Sequence, residues 1–315
     1  MRNSIVARVS AGLALLTLVG CSSQAVANYD ARSAPQLMNS VARASTQTSL
    51  TRDELSQLRS ASTDLALTGY PKRGTGASNC QTVGQCEYGD VKSKTTVILF
   101  GDSHAVMWLP ALAPAARKLH LKLELIWLGA CPTSMVRPFA PNIGDPSYCD
   151  GFRVHAHAQI IAAHPKLVLL AEKTSQIPTG VAIYPWYTGA QIKKGLIVTI
   201  RKFQQAGIRV GVIEDIANFA KPVPLCLSLH PRAIQKCSAP FNDAPKLVHR
   251  EAERDAALAT GAQLLQTHLW LCTSKTCPPV LGGIIAYADA DHVSYTYAQT
   301  LSRVFGDEVR AAMAH

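Results

Sequence analysis

From about residue 91 onward, short apolar runs alternate with stretches of helical pattern, and this rhythm admits few folds. "TTVILF", "LKLELIWL", "KLVLLA", "IRVGVIED" and "AQLLQT" each read as a strand. Between them, "AVMWLPALAPAARKLH", "GFRVHAHAQIIAAH", "TGAQIKKGLIVTIRKFQQAG" and "APKLVHREAERDAALATG" read as helices, with Pro110 and Pro114 bending or delaying the first. A last helix is predicted from about Tyr295 to Met313. Strands that are apolar at successive positions are covered on both faces, and strands joined through helices run parallel. The predicted fold class is therefore α/β: a three-layer α/β/α sandwich, flavodoxin-like, around a five-stranded parallel sheet. Right-handed crossovers in such a fold gather sites beyond the carboxyl ends of the strands. At 315 residues, 48% hydrophobic and 17% charged, the chain has the material for one sizeable packed domain.

The N-terminus reads as an export signal. Arg2 and Arg8 precede "AGLALLTLVG", an apolar stretch too short to span a bilayer. It runs into Leu18-Val19-Gly20-Cys21, which resembles the lipobox of bacterial lipoproteins and implies lipidation at Cys21. "AVA" at Ala25 to Ala27 is the rival cleavage site, which releases a soluble protein. Either route puts the chain outside the cytoplasm. Residues 22–79 read as a tether with an N-terminal helical segment, in which Thr51 caps "SLTRDELSQLRSASTDLA" and "TGYPKRGTGASN" breaks it.

Removing Cys21 from nine cysteines leaves eight, an even number that suits disulfides in an exported chain. They fall into four sequence-local couples: Cys80–Cys86, Cys131–Cys149, Cys226–Cys237 and Cys272–Cys277. His230 lies between Cys226 and Cys237, but that spacing fits no zinc pattern. His155 and His157, two apart on a helix, face different ways and make poor ligands. The sequence gives no reason to expect a metal or another cofactor. The formal charge of +10 falls to +8 once Arg2 and Arg8 are removed (29 basic against 21 acidic residues). Without a tight basic run interleaved with aromatics, that excess does not describe a nucleic-acid binder; it suits an anionic lipid or an acidic glycan.

Ser103 follows the first strand directly, in "VILFGDSHAVMW", and so stands at the carboxyl edge of the sheet. It is either a helix cap or a nucleophile. A serine nucleophile needs a base, and the base needs a group that holds its ring. "YADADHVSYTYAQTLSRVF" supplies both, with Asp289 and His292 three apart in a loop after the fifth strand. Asp291 competes with Asp289, but adjacency to His292 points its side chain elsewhere. Asp102 is expected to tie the turn to neighbouring backbone and His104 to be a fixture of the turn. Trp108, Trp127 and Trp186 suit either sugar stacking or core packing.

"GDSHA" after one strand, "GACP" after the next and "DADHVS" before the last helix resemble the SGNH hydrolase superfamily. More narrowly, they resemble the extracytoplasmic SGNH domains fused to membrane acyltransferases that O-acylate cell-surface glycans. The resemblance covers roughly residues 80–312, so 80–315 is the expected catalytic domain and 1–21 the signal with its lipobox. It implies Ser103 as nucleophile, His292 as general base and Asp289 as the carboxylate that orients it. The backbone N–H groups of Ser103 and Gly129 are the implied oxyanion hole. The superfamily's usual third-block Asn is missing; "LLAEKTSQIP" puts Glu172, Lys173 or Thr174 in that region, so the hole has two backbone donors or recruits Lys173 or Thr174. The implied activity is that of a serine esterase or O-acyltransferase acting on acyl groups, acetyl first among them, of an envelope polysaccharide or glycolipid. A membrane acyltransferase partner would then donate the acyl group. The alternative is a non-catalytic, glycan-binding lipoprotein that keeps the fold.

Overall fold

The structure, a computed structural model, describes residues 33–66, 80–136, 147–174, 188–241 and 244–314. The segment read as an export signal, with Cys21, and Trp186 lie outside the described residues. At the centre are the strands β1 (Glu87–Gly89), β2 (Thr96–Gly101), β3 (Lys122–Trp127), β4 (Leu167–Ala171), β5 (Arg209–Ile213) and β6 (Gln263–Leu265), in spatial order β1-β3-β2-β4-β5-β6. The five strands from β2 to β6 are parallel. In their own chain order they run 2-1-3-4-5, the flavodoxin-like arrangement.

The sixth strand, β1, is antiparallel to β3 and adds to the five expected. Three residues, "EYG", carry too little pattern to be seen in the sequence. What holds the approach to this edge is backbone pairing: Trp127 N–H donates to the Cys80 carbonyl at 2.8 Å and Leu125 N–H to the Cys86 carbonyl at 3.0 Å. The Cys80–Cys86 disulfide closes that loop. Disulfides also join Cys131–Cys149, Cys226–Cys237 and Cys272–Cys277.

Alternate residues of each strand face opposite layers. Ile98, Phe100, Ile126, Val168, Leu170, Val210 and Val212 pack against α5 (Ser147–Ala163), α6 (Gly189–Gln205) and α8 (Ala244–Thr260). Val97, Leu99, Leu123, Leu125, Leu167 and Leu169 share the other core with α4 (Leu109–Lys118), α9 (Tyr295–Thr300) and α10 (Ser302–Ala314). Trp108 and Trp270 each stack near Phe305 with ring centroids 5.1 Å apart, so Trp108 is a core residue. Trp127 is buried as well.

The stretch expected as a tether with a helical segment is folded over residues 33–66. Helices α1 (Ala34–Ala44) and α2 (Arg52–Ala61) send Leu37, Val41 and Ala61, with Leu50 between them, into the second core. Thr51 does cap α2: its hydroxyl accepts from Glu54 N–H at 3.2 Å while its own N–H donates to the Glu54 carboxylate at 2.7 Å. Gln57 of α2 then clasps Gly283 O and Ile285 N at 2.7 and 3.0 Å, just ahead of the loop that carries His292. The predicted last helix is divided in two at Leu301. There the Thr300 hydroxyl donates to the Tyr297 carbonyl at 2.7 Å, a local bond that competes with helix continuation.

Candidate active site

Strand β2 ends at Gly101, where the chain passes so close to β4 that a Cβ on this residue would overlap the Ala171 carbonyl oxygen. Asp102 follows and caps the one-turn helix α3 (Ser103–Val106), accepting from His104 N–H at 2.8 Å. Its other oxygen accepts from Lys173 N–H at 2.9 Å, so Asp102 ties the ends of β2 and β4 together. With the cap supplied by Asp102, the Ser103 hydroxyl is left to other partners.

Its partner is His292, whose Nε2 lies 2.9 Å from Ser103 Oγ across 189 positions of sequence. His292 Nδ1 in turn lies 2.7 Å from Asp289 Oδ2. The loop is built by Asp289 itself: Oδ1 accepts from the N–H groups of Asp291 and His292 at 2.8 and 2.7 Å, leaving Oδ2 for the ring. Two further bonds fix the loop from outside, Phe219 N–H to Ala290 O at 2.8 Å and Val223 N–H, at the start of α7 (Val223–Leu229), to Asp289 O at 3.1 Å. The geometry therefore joins Ser103, His292 and Asp289 in one hydrogen-bonded chain at the carboxyl edge of the sheet.

Gly129 stands two residues past Trp127, as Ser103 stands two past Gly101, and Gly101 and Trp127 are register partners. This puts both residues on the same edge of neighbouring strands. A Cβ on Gly129 would meet only the Trp127 ring, at 3.9 Å, so packing alone does not demand glycine here.

Asp291 does not point away from the histidine, contrary to the adjacency argument. Its Oδ1 lies 3.1 Å from His292 Nδ1, because the turn built on Asp289 folds residue 291 back over the ring. Its Oδ2 pairs with the Lys173 ammonium. Thr174 is occupied too: its N–H and hydroxyl donate to Asp215 Oδ2 at 2.8 and 2.9 Å. Neither side chain offered as a third oxyanion donor is free of a carboxylate. Glu172 is buried beneath, accepting from Thr133 Oγ1 and Ser134 N–H at 2.5 and 2.6 Å. Burial pushes its carboxyl up to about 7 against the pull of those donors.

His104 is more than a turn fixture. Its ring is 1% exposed, its Nδ1 lies 2.6 Å from Asp215 Oδ1, and its centroid is 5.0 Å from that of His292. Asp215, just past β5, also accepts from Ile216 N–H at 2.8 Å, and its own N–H donates to Glu253 at 3.0 Å. Burial acts to raise Asp215, but the His104 imidazole and the Thr174 N–H and hydroxyl outweigh it and hold the carboxyl below its usual range. For His292, burial acts to lower the pKa; hydrogen bonds to Asp289 and Asp291 outweigh it and raise the imidazole to about 10. No sequence signal links His104 to Asp215, 111 positions away; "IRVGVIED" places Glu214 and Asp215 at the carboxyl end of a strand and does no more. His157 is a core residue set edge-on to Phe100 and Phe203, and burial lowers it to about 4.

Residues 69–307 match the family described as "SGNH domain (fused to AT3 domains)". The chain belongs to this SGNH family. Among solved structures, this SGNH domain is similar to the periplasmic domain of a lipopolysaccharide acetyltransferase from Salmonella serovar Paratyphi A, at 15% identity and TM-score 0.56, over 70% of this chain and 86% of that one. At that identity the likeness speaks to the fold. Further similar structures are an acetyl xylan esterase (14% identity, TM-score 0.43, 69% and 98% covered) and a GDSL-like lipase from Bacteroides thetaiotaomicron (12%, 0.42, 70% and 88%). No curated protein sequence matches the chain significantly. Among the described residues, no helix is long and apolar enough to cross a membrane.

Proposed function

We propose that this SGNH domain is an exported serine esterase or O-acyltransferase that works on acyl groups, acetyl first among them, of an envelope polysaccharide or glycolipid. The observation that carries the reading is the chain Ser103 Oγ–His292 Nε2 at 2.9 Å and His292 Nδ1–Asp289 Oδ2 at 2.7 Å. Ser103 Oγ attacks the ester carbonyl as its proton passes to His292 Nε2. The tetrahedral oxyanion is met by the backbone N–H groups of Ser103 and Gly129, each such donor being worth on the order of 2.7–4 kcal/mol in the transition state. Collapse expels the alcohol, which takes the proton from His292, and leaves acyl-Ser103. Water or a sugar hydroxyl then gives its proton to His292 and takes the acyl group, returning the serine. Asp289 keeps the ring oriented and stabilises the imidazolium throughout.

The family of SGNH domains fused to acyltransferase modules favours transfer over hydrolysis, with a membrane acyltransferase as acyl donor. The lipobox-like segment ending at Cys21 would anchor the domain to the membrane face where such a donor works. A fluorophosphonate probe tests the chemistry. It should label the wild type and not Ser103→Ala, and labelling that survives in that variant overturns the assignment. Supplying an acetylated donor with and without a glycan acceptor then separates transfer from hydrolysis.

One observation favours a second reading, a glycan-binding lipoprotein without turnover. The side chains at the usual third-donor position, Lys173 and Thr174, are committed to Asp291 and Asp215. Silence toward the probe in both proteins, with glycan binding retained, would support it.

A further inference from the structure

Beside the proposed triad lies a second buried imidazole whose free nitrogen has no work to do in the mechanism. His104 is 1% exposed, Asp215 holds its Nδ1, and its Nε2 has no hydrogen-bond partner. A buried polar nitrogen left unmatched is costly, and such an atom marks a place that accommodates something else. A ring nitrogen of His104, a ring nitrogen of His292 and a carboxylate oxygen of Asp291 lie within 4.8 Å of one another.

We propose that His104, His292 and Asp291 form an inhibitory site for a divalent transition-metal ion of the zinc class. The donor set is two imidazoles and one carboxylate, which suits zinc and leaves a fourth position open. Both imidazoles already carry the outer contact that metal-ligating histidines show: Nδ1 of each faces a carboxylate, Asp215 at 2.6 Å and Asp289 at 2.7 Å. That contact keeps the proton on Nδ1 and leaves Nε2 as the lone-pair nitrogen, unpartnered in His104 and 2.9 Å from Ser103 Oγ in His292. Asp291 can contribute Oδ1 by exchanging its 3.1 Å contact with His292 Nδ1 for the ion, without releasing Lys173, which pairs with Oδ2. Ligands about 2.0–2.2 Å from a tetrahedral zinc stand roughly 3.3 Å apart, so one ligand atom from each residue, now within 4.8 Å of the others, has to close by about 1.5 Å at most. No free thiol among the described residues competes, since all eight of their cysteines are in disulfides.

The consequence follows from which lone pair is used. His292 Nε2 is the atom that takes the Ser103 proton in the proposed cycle, so an ion bound there silences the nucleophile while leaving the fold intact. The inhibition rests on the serine-enzyme reading; the binding does not.

Calorimetric titration of the full-length protein with zinc chloride is the direct test. One ion per chain is expected in the wild type and in Ser103→Ala, which removes no ligand. His104→Gln and Asp291→Asn should each weaken binding at least tenfold, with circular dichroism confirming that both remain folded. Saturating zinc should slow fluorophosphonate labelling of wild-type Ser103 at least tenfold, and chelation by EDTA should restore it. Absence of stoichiometric binding, or binding that both folded variants retain in full, overturns the site. If metal-free protein is not labelled, the enzyme reading fails while the calorimetry still decides the zinc site.

Discussion

At the scale of single residues, the two carboxylates on His292 set the pH range in which it can act. A general base must be neutral to accept a proton, and Asp289 and Asp291 together raise this imidazole to about 10 against the lowering effect of burial. Ester hydrolysis should therefore keep rising with pH well past neutrality, toward about 10, once spontaneous hydrolysis is subtracted. Asp291→Asn removes one of the charges that favour the imidazolium, so its activity limb should move to lower pH, by about 1–3 units. An unchanged limb would show that Asp291 bears on Lys173 alone. Asp289→Asn should cost more in kcat than Asp291→Asn, because only Asp289 both orients the ring at 2.7 Å and builds the loop through two backbone N–H groups. The sequence made Asp289 legible through its spacing from His292. It misled on Asp291, because adjacency says nothing about a turn that folds back on itself.

At the scale of elements, two glycines on the same edge should behave oppositely. Gly101 closes β2 against β4 where a side chain has no room beside the Ala171 carbonyl. Gly101→Ala should lower the melting temperature sharply or prevent folding, because backbone on both sides must shift. Gly129 faces open space apart from the Trp127 ring at 3.9 Å, so Gly129→Ala should fold normally. If Gly129 N–H serves the oxyanion, that variant loses activity through crowding of the substrate while its melting temperature stays near wild type; equal activity would remove Gly129 from the hole. The parallel strands were legible because burial on both faces writes "VILF" and "LVLLA" as unbroken apolar runs. Strand β1 and the short helix α7 were not, since a three-residue edge strand and a seven-residue helix have too few residues to establish a period. The network joining His104, Asp215 and Glu253 was hidden for a different reason. It depends on which strand ends become neighbours, and that is a property of the strand order.

At the scale of the whole molecule, the N-terminal helices decide where the working domain begins. A tether contributes nothing to stability, yet Leu37, Val41 and Leu50 are buried in the same core as Leu99 and Phe305. Burying each such side chain is worth about 1.5–3 kcal/mol, so together they amount to a large part of a typical domain's stability of about 5–15 kcal/mol. The same segment grips Gly283 and Ile285, just before the His292 loop, through Gln57, and Tyr295 N–H donates to Asp64 O at 2.8 Å just after it. A protein truncated before residue 80 should thus be much less stable than one truncated before residue 33, and it should lose activity at temperatures where its sheet is still folded. Comparing the two by thermal melting alongside probe labelling of Ser103 separates these effects. Equal melting and equal labelling would mean that α1 and α2 only rest on a domain complete without them. A fall in labelling ahead of the melt would place the N-terminal segment among the parts that hold His292 against Ser103.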